Sequence, residues 1–245
     1  MLILVGFAIA FLIGLTGVGA GTMTAPILIL FLGLPPGVAV GTALLFGTLV
    51  KLPAASIYLW NRQVDFRTMR LMLAGGLPGV MIGTLLFQGL RHRGDAVLFL
   101  VGAIVILSAF ANLVSTLRRM RGVERPRLIP PATLLIGMEV GFSSAGAGAL
   151  GTLLLFHTTN LTPAKVVGTD LLFGLLLAAA GGGLRAWLGQ VSPEVLLPML
   201  AGGMLGSTLG AYAVTLVPRR PLKVGLLLWL LFIGTQLLYR GAGHG

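Results

Sequence analysis

The sequence predicts an all-α polytopic membrane protein built from two inverted repeats, each with a broken helix or re-entrant hairpin plus three transmembrane helices. Three observations predict it. The 245 residues are 56% hydrophobic and only 9% charged, whereas soluble domains carry about 25% charged residues. The chain divides into ten apolar segments separated by charged or Pro/Gly breaks. Finally, it matches itself without a gap when shifted by 127 residues.

The composition excludes a soluble globular enzyme, a disordered chain and a disulfide scaffold, and the mean hydropathy of +1.01 agrees. With no cysteine, thiolate, zinc-thiolate and disulfide chemistry are excluded. The histidines, His92, His157 and His244, are scattered, so no metal and no cofactor is expected. The net charge of +11 is read as basic residues in short loops that set orientation rather than as a nucleic-acid surface. The expected partners are the lipid bilayer and a small substrate. Met1 to Gly14 is apolar with no basic start and reads as a retained span, not a signal peptide.

The segments run 2–18, 22–33, 37–60, 68–89 and 96–117, then 129–145, 148–157, 163–186, 194–217 and 222–239. Most suffice to cross about 30 Å of hydrocarbon at about 1.5 Å per residue. The exceptions are 22–33 and 148–157. Each follows a small-residue break, Gly17-Val18-Gly19-Ala20-Gly21 or Ser144-Ala145-Gly146-Ala147-Gly148. A short apolar stretch beside such a break reads as a half-span.

The self-match gives the organisation. Gly19-Ala20-Gly21 falls on Gly146-Ala147-Gly148, Pro36 on Pro163, and Val40-Gly41-Thr42 on Val167-Gly168-Thr169. Trp60, Gln63 and Val64 fall on Trp187, Gln190 and Val191, and Met72-Leu73-Ala74-Gly75-Gly76 on Met199-Leu200-Ala201-Gly202-Gly203. Residues 14–84 against 141–211 give 25 identities in 71 positions. The first repeat is therefore 1–117 and the second 129–245, joined by a basic cytoplasmic linker at 118–128. If each break closes a hairpin, each half crosses an odd number of times. Twelve basic loop residues then fall inside, against Arg91, Arg93, Arg185 and Arg240 outside. Single crossings give ten against six. The positive-inside rule favours the inverted arrangement, which places a substrate site near the midplane where half-helix ends meet.

Candidate substrate-binding residues follow. Glycines at the breaks, Gly17, Gly19, Gly21, Gly146 and Gly148, let the backbone unwind and expose N–H groups that attract anions. Thr22, Ser143 and Ser144 add hydroxyls, as do Thr16, Thr24 and Thr152. The competing reading of the breaks is close helix packing. Thr42 and Thr169 hold matched positions that either line the same cavity or bond their own helix. Lys51 lies about 14 Å of helix from Trp60, too deep for easy snorkelling; its mate is Ala178. It either draws an anion or pairs with a buried acid. Of six acids, Glu139 and Asp170 lie within segments. They are the proton-coupling candidates, against a local cap for Glu139 and a shallow position for Asp170. Glycines 75, 76, 79 and 83, matched by 202, 203, 206 and 210, form packing stripes that permit a homodimer. Trp60, Trp187 and Trp229 read as interfacial anchors.

The run Gly17-Val18-Gly19-Ala20-Gly21-Thr22-Met23-Thr24-Ala25-Pro26, then Val40-Gly41-Thr42, then Gln63-Val64-Asp65, repeated once, resembles the TauE/SafE family of sulfite and organosulfur-anion exporters. The resemblance covers nearly the whole chain. It implies a multi-pass inner-membrane transporter for a small anion such as sulfite, thiosulfate, sulfoacetate or another sulfonate. Members often carry Thr-Ser where this chain has Thr42-Ala43 and Thr169-Asp170, so Asp170 either weakens anion binding or couples transport to protons. The expected function is secondary transport of such an anion; the alternative is a passive channel or facilitator. No catalytic acid pair, histidine set or nucleophile–base pair has a recognisable spacing in the spans, so the chain is not expected to be an enzyme.

Overall fold

A computed structural model describes residues 1–16, 19–117, 125–145, 150–213 and 219–243. The linker residues 118–124, Gly17, Gly146 and Gly148 lie outside them. Among the described residues ten α-helices follow the predicted segments: α1 (Leu2–Thr16), α2 (Ala20–Leu32), α3 (Pro36–Trp60), α4 (Phe66–Leu90), α5 (Gly94–Leu117), α6 (Ile129–Ser143), α7 (Leu150–Thr158), α8 (Pro163–Trp187), α9 (Pro193–Ala213) and α10 (Arg219–Gly241). A 3-10 turn, Pro126–Leu128, precedes α6.

Local chemistry sets the boundaries. Pro36 and Pro163 open the equivalent helices α3 and α8, where a missing N–H costs nothing and φ is already helical. Asp65 caps α4 by accepting from the Thr68 N–H at 2.9 Å. Partial burial works against the Asp65 charge, but the hydrogen bonds to Thr68 and the Lys165 and Arg67 charges outweigh it and hold the carboxyl below its ordinary range. Gly33 ends α2 at φ 65°, a left-handed position that glycine adopts without strain. Five of the described helices are long and apolar enough to cross a membrane: α3, α4, α5, α8 and α10. Trp60 and Trp187 are 89% and 83% exposed at matched helix ends, as expected of side chains that anchor at an interface.

The two repeats are interwoven. Helix α1 packs most broadly on α9, and α6 on α4, while α3 pairs with α8 and α5 with α10. Glycine makes the crossed pairs close. A methyl group on Gly202, Gly206 or Gly210 would stand 1.9, 2.3 or 2.3 Å from the carbonyl oxygens of Ile3, Phe7 and Phe11. Gly75, Gly79 and Gly83 would meet those of Pro130, Leu134 and Met138 at 1.9, 2.3 and 2.1 Å. Both glycine stripes are thus covered within the chain, and they carry no argument for a homodimer.

The same contacts give directions. Gly41, at the start of α3, meets Gln190 beyond the end of α8, and Gly168, at the start of α8, meets Gln63 beyond the end of α3. Equivalent helices α3 and α8 therefore run antiparallel. So do α5 and α10, where Gly102 meets Leu238 and Gly241 meets Phe99. Helix α9 runs with α3, and α1 with α9. Helix α2 runs against the first half of α3, since Ala20 lies on Gly47 while Leu32 joins Pro36 through a short turn. Hence α1 and α2 run in opposite directions. Helix α6 runs with α4 and α8, whereas α7 starts beside Asp170 and returns to the start of α8. The short helices of each half thus run in opposite directions, as the arms of a hairpin, rather than as one kinked rod.

Candidate substrate site

The two hairpin tips meet at the centre. Ser144 ends α6 in a left-handed conformation, φ 62°. Its hydroxyl donates to the Gly21 carbonyl at 3.1 Å. A methyl group on Gly21 would stand 1.8 Å from the Ser144 carbonyl oxygen, so the backbones themselves touch. Beside this contact lies a cavity of about 10 Å³, lined by Ala20, Gly21, Ala43, Leu44, Gly47, Lys51, Val140, Ser144 and Ala178. It holds one water-sized occupant. Its lining includes Lys51 and its repeat mate Ala178, so α3 and α8 present equivalent positions to one space. The uncapped N-terminus of α2 opens onto it at Ala20 and Gly21.

Lys51 is half-buried and interacts electrostatically with Asp170 on α8; among the described residues no carboxylate lies within ion-pair distance of it. Asp170 is 2% exposed. One carboxylate oxygen accepts from the Thr152 hydroxyl at 2.5 Å. The other, Oδ1, is buried without a hydrogen bond among the described residues and rests on Gly151, where a Cβ would stand 1.9 Å from it. Asp170 is therefore buried within the protein, eight residues into α8.

The remaining candidates divide. Glu139 faces α5, where it accepts a hydrogen bond from Ser108, so the structure does not bring it together with Lys51 and Asp170. Ser143 donates to the Glu139 carbonyl at 3.0 Å and accepts from the Ala145 N–H at 3.2 Å, tying the tip of α6. Thr22 is buried in the first turn of α2, and Gly19 is the residue that precedes that helix. Thr42 and Thr169 make a contact that neither reading named. Thr169 Oγ1 accepts from the Asp65 N–H at 2.9 Å, and Thr42 Oγ1 accepts from the Ser192 N–H at 3.1 Å. They are matched clasps that tie each long central helix to the opposite repeat's loop, one at each end of the α3–α8 pair.

Arg185 is a correction. Counted as an outside loop charge, it is 0% exposed within α8. Its guanidinium donates to the Gly141 and Phe142 carbonyls at 2.8 and 3.3 Å, the last turn of α6, and to Gln190 Oε1 at 2.8 Å. It also lies 4.2 Å from the Phe87 ring centre. Cation and helix C-terminus are an electrostatically favourable pair, so Arg185 braces the second hairpin. The outside tally of loop charges falls to Arg91, Arg93 and Arg240 without Arg185. The sequence carried one hint: its mate is Tyr58, a second large polar side chain at the same register. Among the described residues no cluster of His, Asp or Glu could hold a metal ion.

The family model for the sulfite exporter TauE/SafE matches residues 2–237. The chain belongs to the TauE/SafE family. Its relatives include a Bacillus subtilis protein named "Probable membrane transporter protein YjnA", 30% identical over 97% of this chain and 98% of the relative. A second from B. subtilis, YunE, is 24% identical over 98% and 97%, and one from Haemophilus influenzae is 27% identical over 87% and 84%. Both of these are also named as probable membrane transporters. No solved structure matches the chain. This TauE/SafE protein is a multi-pass membrane transporter; family and names indicate transport rather than catalysis.

Proposed function

We propose that the protein moves a small sulfur-containing oxyanion, such as sulfite, thiosulfate or a sulfonate, across the inner membrane in company with a proton. The observation that carries this reading is the asymmetric pair at the meeting point of the hairpins: Lys51 facing the cavity and Asp170 behind it, where their repeat mates are Ala178 and Ala43. A cation at membrane depth is costly and is by default a sign of an ion path. Helix N-terminal N–H groups at Ala20 and Gly21 add donors suited to an oxyanion.

The pairing sets the coupling. While Asp170 is ionised it competes with an anion for Lys51. A proton on its open oxygen, Oδ1, removes that competition. Anion and proton therefore bind together and travel in the same direction, and the two gradients decide which way. The present cavity takes only a water-sized occupant, so this is a closed state that opens when one hairpin parts from the other. The antiparallel pairing of equivalent helices supports inverted repeats rocking about this centre.

The test is flux of radiolabelled sulfite in proteoliposomes with an imposed pH gradient. Acidifying the side that holds the sulfite accelerates flux under this reading. Flux that ignores the gradient refutes proton coupling and leaves a passive facilitator. No flux of sulfite, thiosulfate or sulfonates by folded protein refutes the substrate class.

A further inference from the structure

A second cleft lies away from the centre. It encloses about 200 Å³ and is lined by Pro35, Pro36, Gly37, Val38, Phe87, Arg91, Gly94, Val97 and Gln190. It sits where the start of α3, the end of α4, the start of α5 and the α8–α9 loop converge, and it is about twenty times larger than the central cavity.

Its polar side chains present donors. Arg91 contributes a guanidinium at the rim. Gln190 contributes a side-chain amide whose orientation is fixed from behind: Arg185 donates to its Oε1 at 2.8 Å. The amide nitrogen is thereby left as the donor end, and no hydrogen bond occupies it among the described residues. Gly37 and Val38 hold the first turn of α3, where backbone N–H groups have no helical partner. Behind this wall stands Arg185 itself. It is fully buried, touches three of the lining residues (Gly37, Gln190 and Phe87), has no carboxylate partner among the described residues, and its Nε lacks a hydrogen bond. The opposing charges on this face are Asp95 and Glu194, exposed in the first turns of α5 and α9. The equivalent place in the other half has Tyr58 in place of Arg185, so this cationic backing is confined to one face of the protein.

We infer that this cleft is a second oxyanion site, a vestibule through which the transported anion passes on the face opposite the basic linker. The inference rests on the anion-transport reading for the identity of the ligand, but not on Lys51. Donor side chains set against an apolar wall favour a small oxyanion over a cation. The fixed amide supplies direction, and Arg91 and Arg185 supply charge.

Equilibrium binding of radiolabelled sulfite to the purified full-length chain tests it. Three variants separate the sites. Gly94→Asp places a carboxylate at the mouth, where an added side chain meets nothing within 4 Å. Arg91→Ala removes the exposed guanidinium. Lys51→Ala removes the central charge and leaves the cleft intact. Wild type shows two classes of site. Gly94→Asp weakens one class about tenfold or more and Arg91→Ala weakens it a few-fold, the scale for a rim charge, while the Lys51-dependent class persists in both. Lys51→Ala abolishes only the other class. If Gly94→Asp and Arg91→Ala bind as wild type does, the vestibule is overturned and the central site stands. If Lys51→Ala binds as wild type does while Gly94→Asp loses a class, the central reading fails and the vestibule stands. A folded wild type that binds no sulfite overturns both.

Discussion

Lys51 and Ala178 are repeat mates that line one cavity, so the positive charge can be moved without being lost. The perturbation is Lys51→Ala, followed by Lys51→Ala combined with Ala178→Lys. A bound anion placed about 4–6 Å from an ammonium, at an effective dielectric near 20, gains roughly 3–4 kcal/mol. Losing it raises the half-saturating sulfite concentration about 10²- to 10³-fold. The double variant keeps the chain's charge and the cavity's net volume, because the lysine that leaves α3 arrives on α8. It recovers at least about tenfold of the loss, since the new ammonium enters the same space at a different distance from Asp170. The assay is initial sulfite flux against concentration in proteoliposomes, with circular dichroism to confirm folding. Two results would refute the reasoning. Either Lys51→Ala saturates as wild type does, or the relocated lysine gives no recovery in a folded protein.

Gly206→Leu forces a side chain against the Phe7 carbonyl, where even a Cβ would stand 2.3 Å away; thermal unfolding in detergent should show a loss of about 3 kcal/mol by overpacking, whereas Gly225→Leu, with nothing within 4 Å, should unfold as wild type does. Thr169→Val and Thr42→Val each remove one clasp between the repeats, about 1 kcal/mol apiece, and chemical denaturation should find the two losses additive because the sites are at opposite ends of the α3–α8 pair. Asp65→Ala removes a helix cap worth about 1 kcal/mol. The folded Asp65 carboxyl titrates below its ordinary range, so its contribution is complete above that range and fades as pH falls through the folded value. Unfolding curves of variant and wild type should therefore converge in acid; convergence on raising the pH would contradict the assignment.

The helices, their order and the duplication were legible because each leaves a one-dimensional trace: apolar length, a proline at the first helical position, and identity at a fixed spacing. Lys51 was legible from depth alone, since a charge that far from Trp60 has no route to water along its own helix. What escaped depends on partners distant in sequence. Arg185 stands two residues before Trp187 and so reads as an interfacial charge. Its burial follows from the Gly141 and Phe142 carbonyls and the Phe87 ring, none of which is a neighbour in the chain. Thr42 and Thr169 carried matched hydroxyls, but only the folded pair shows that each reaches across to the other repeat's loop. Glu139 and Asp170 looked alike as buried acids. The faces on which they lie, one toward Ser108 and one toward Thr152, are set by how α6 and α8 rotate into their neighbours, which no residue count determines.

The crossed packing of α1 on α9 and α6 on α4 governs how the chain is made. Helix α1 is made long before its partner α9, so it waits in the bilayer with its contact face open through the synthesis of everything between. The glycine stripe of α4 waits likewise for α6. Neither half can finish folding before the other arrives, and a ribosome that stalls in the linker leaves a product with both mating faces bare, a natural target for membrane quality control. Two fragments divided at that linker and made together would mate through the same faces, so the unit of assembly is the whole chain whether or not its backbone is continuous.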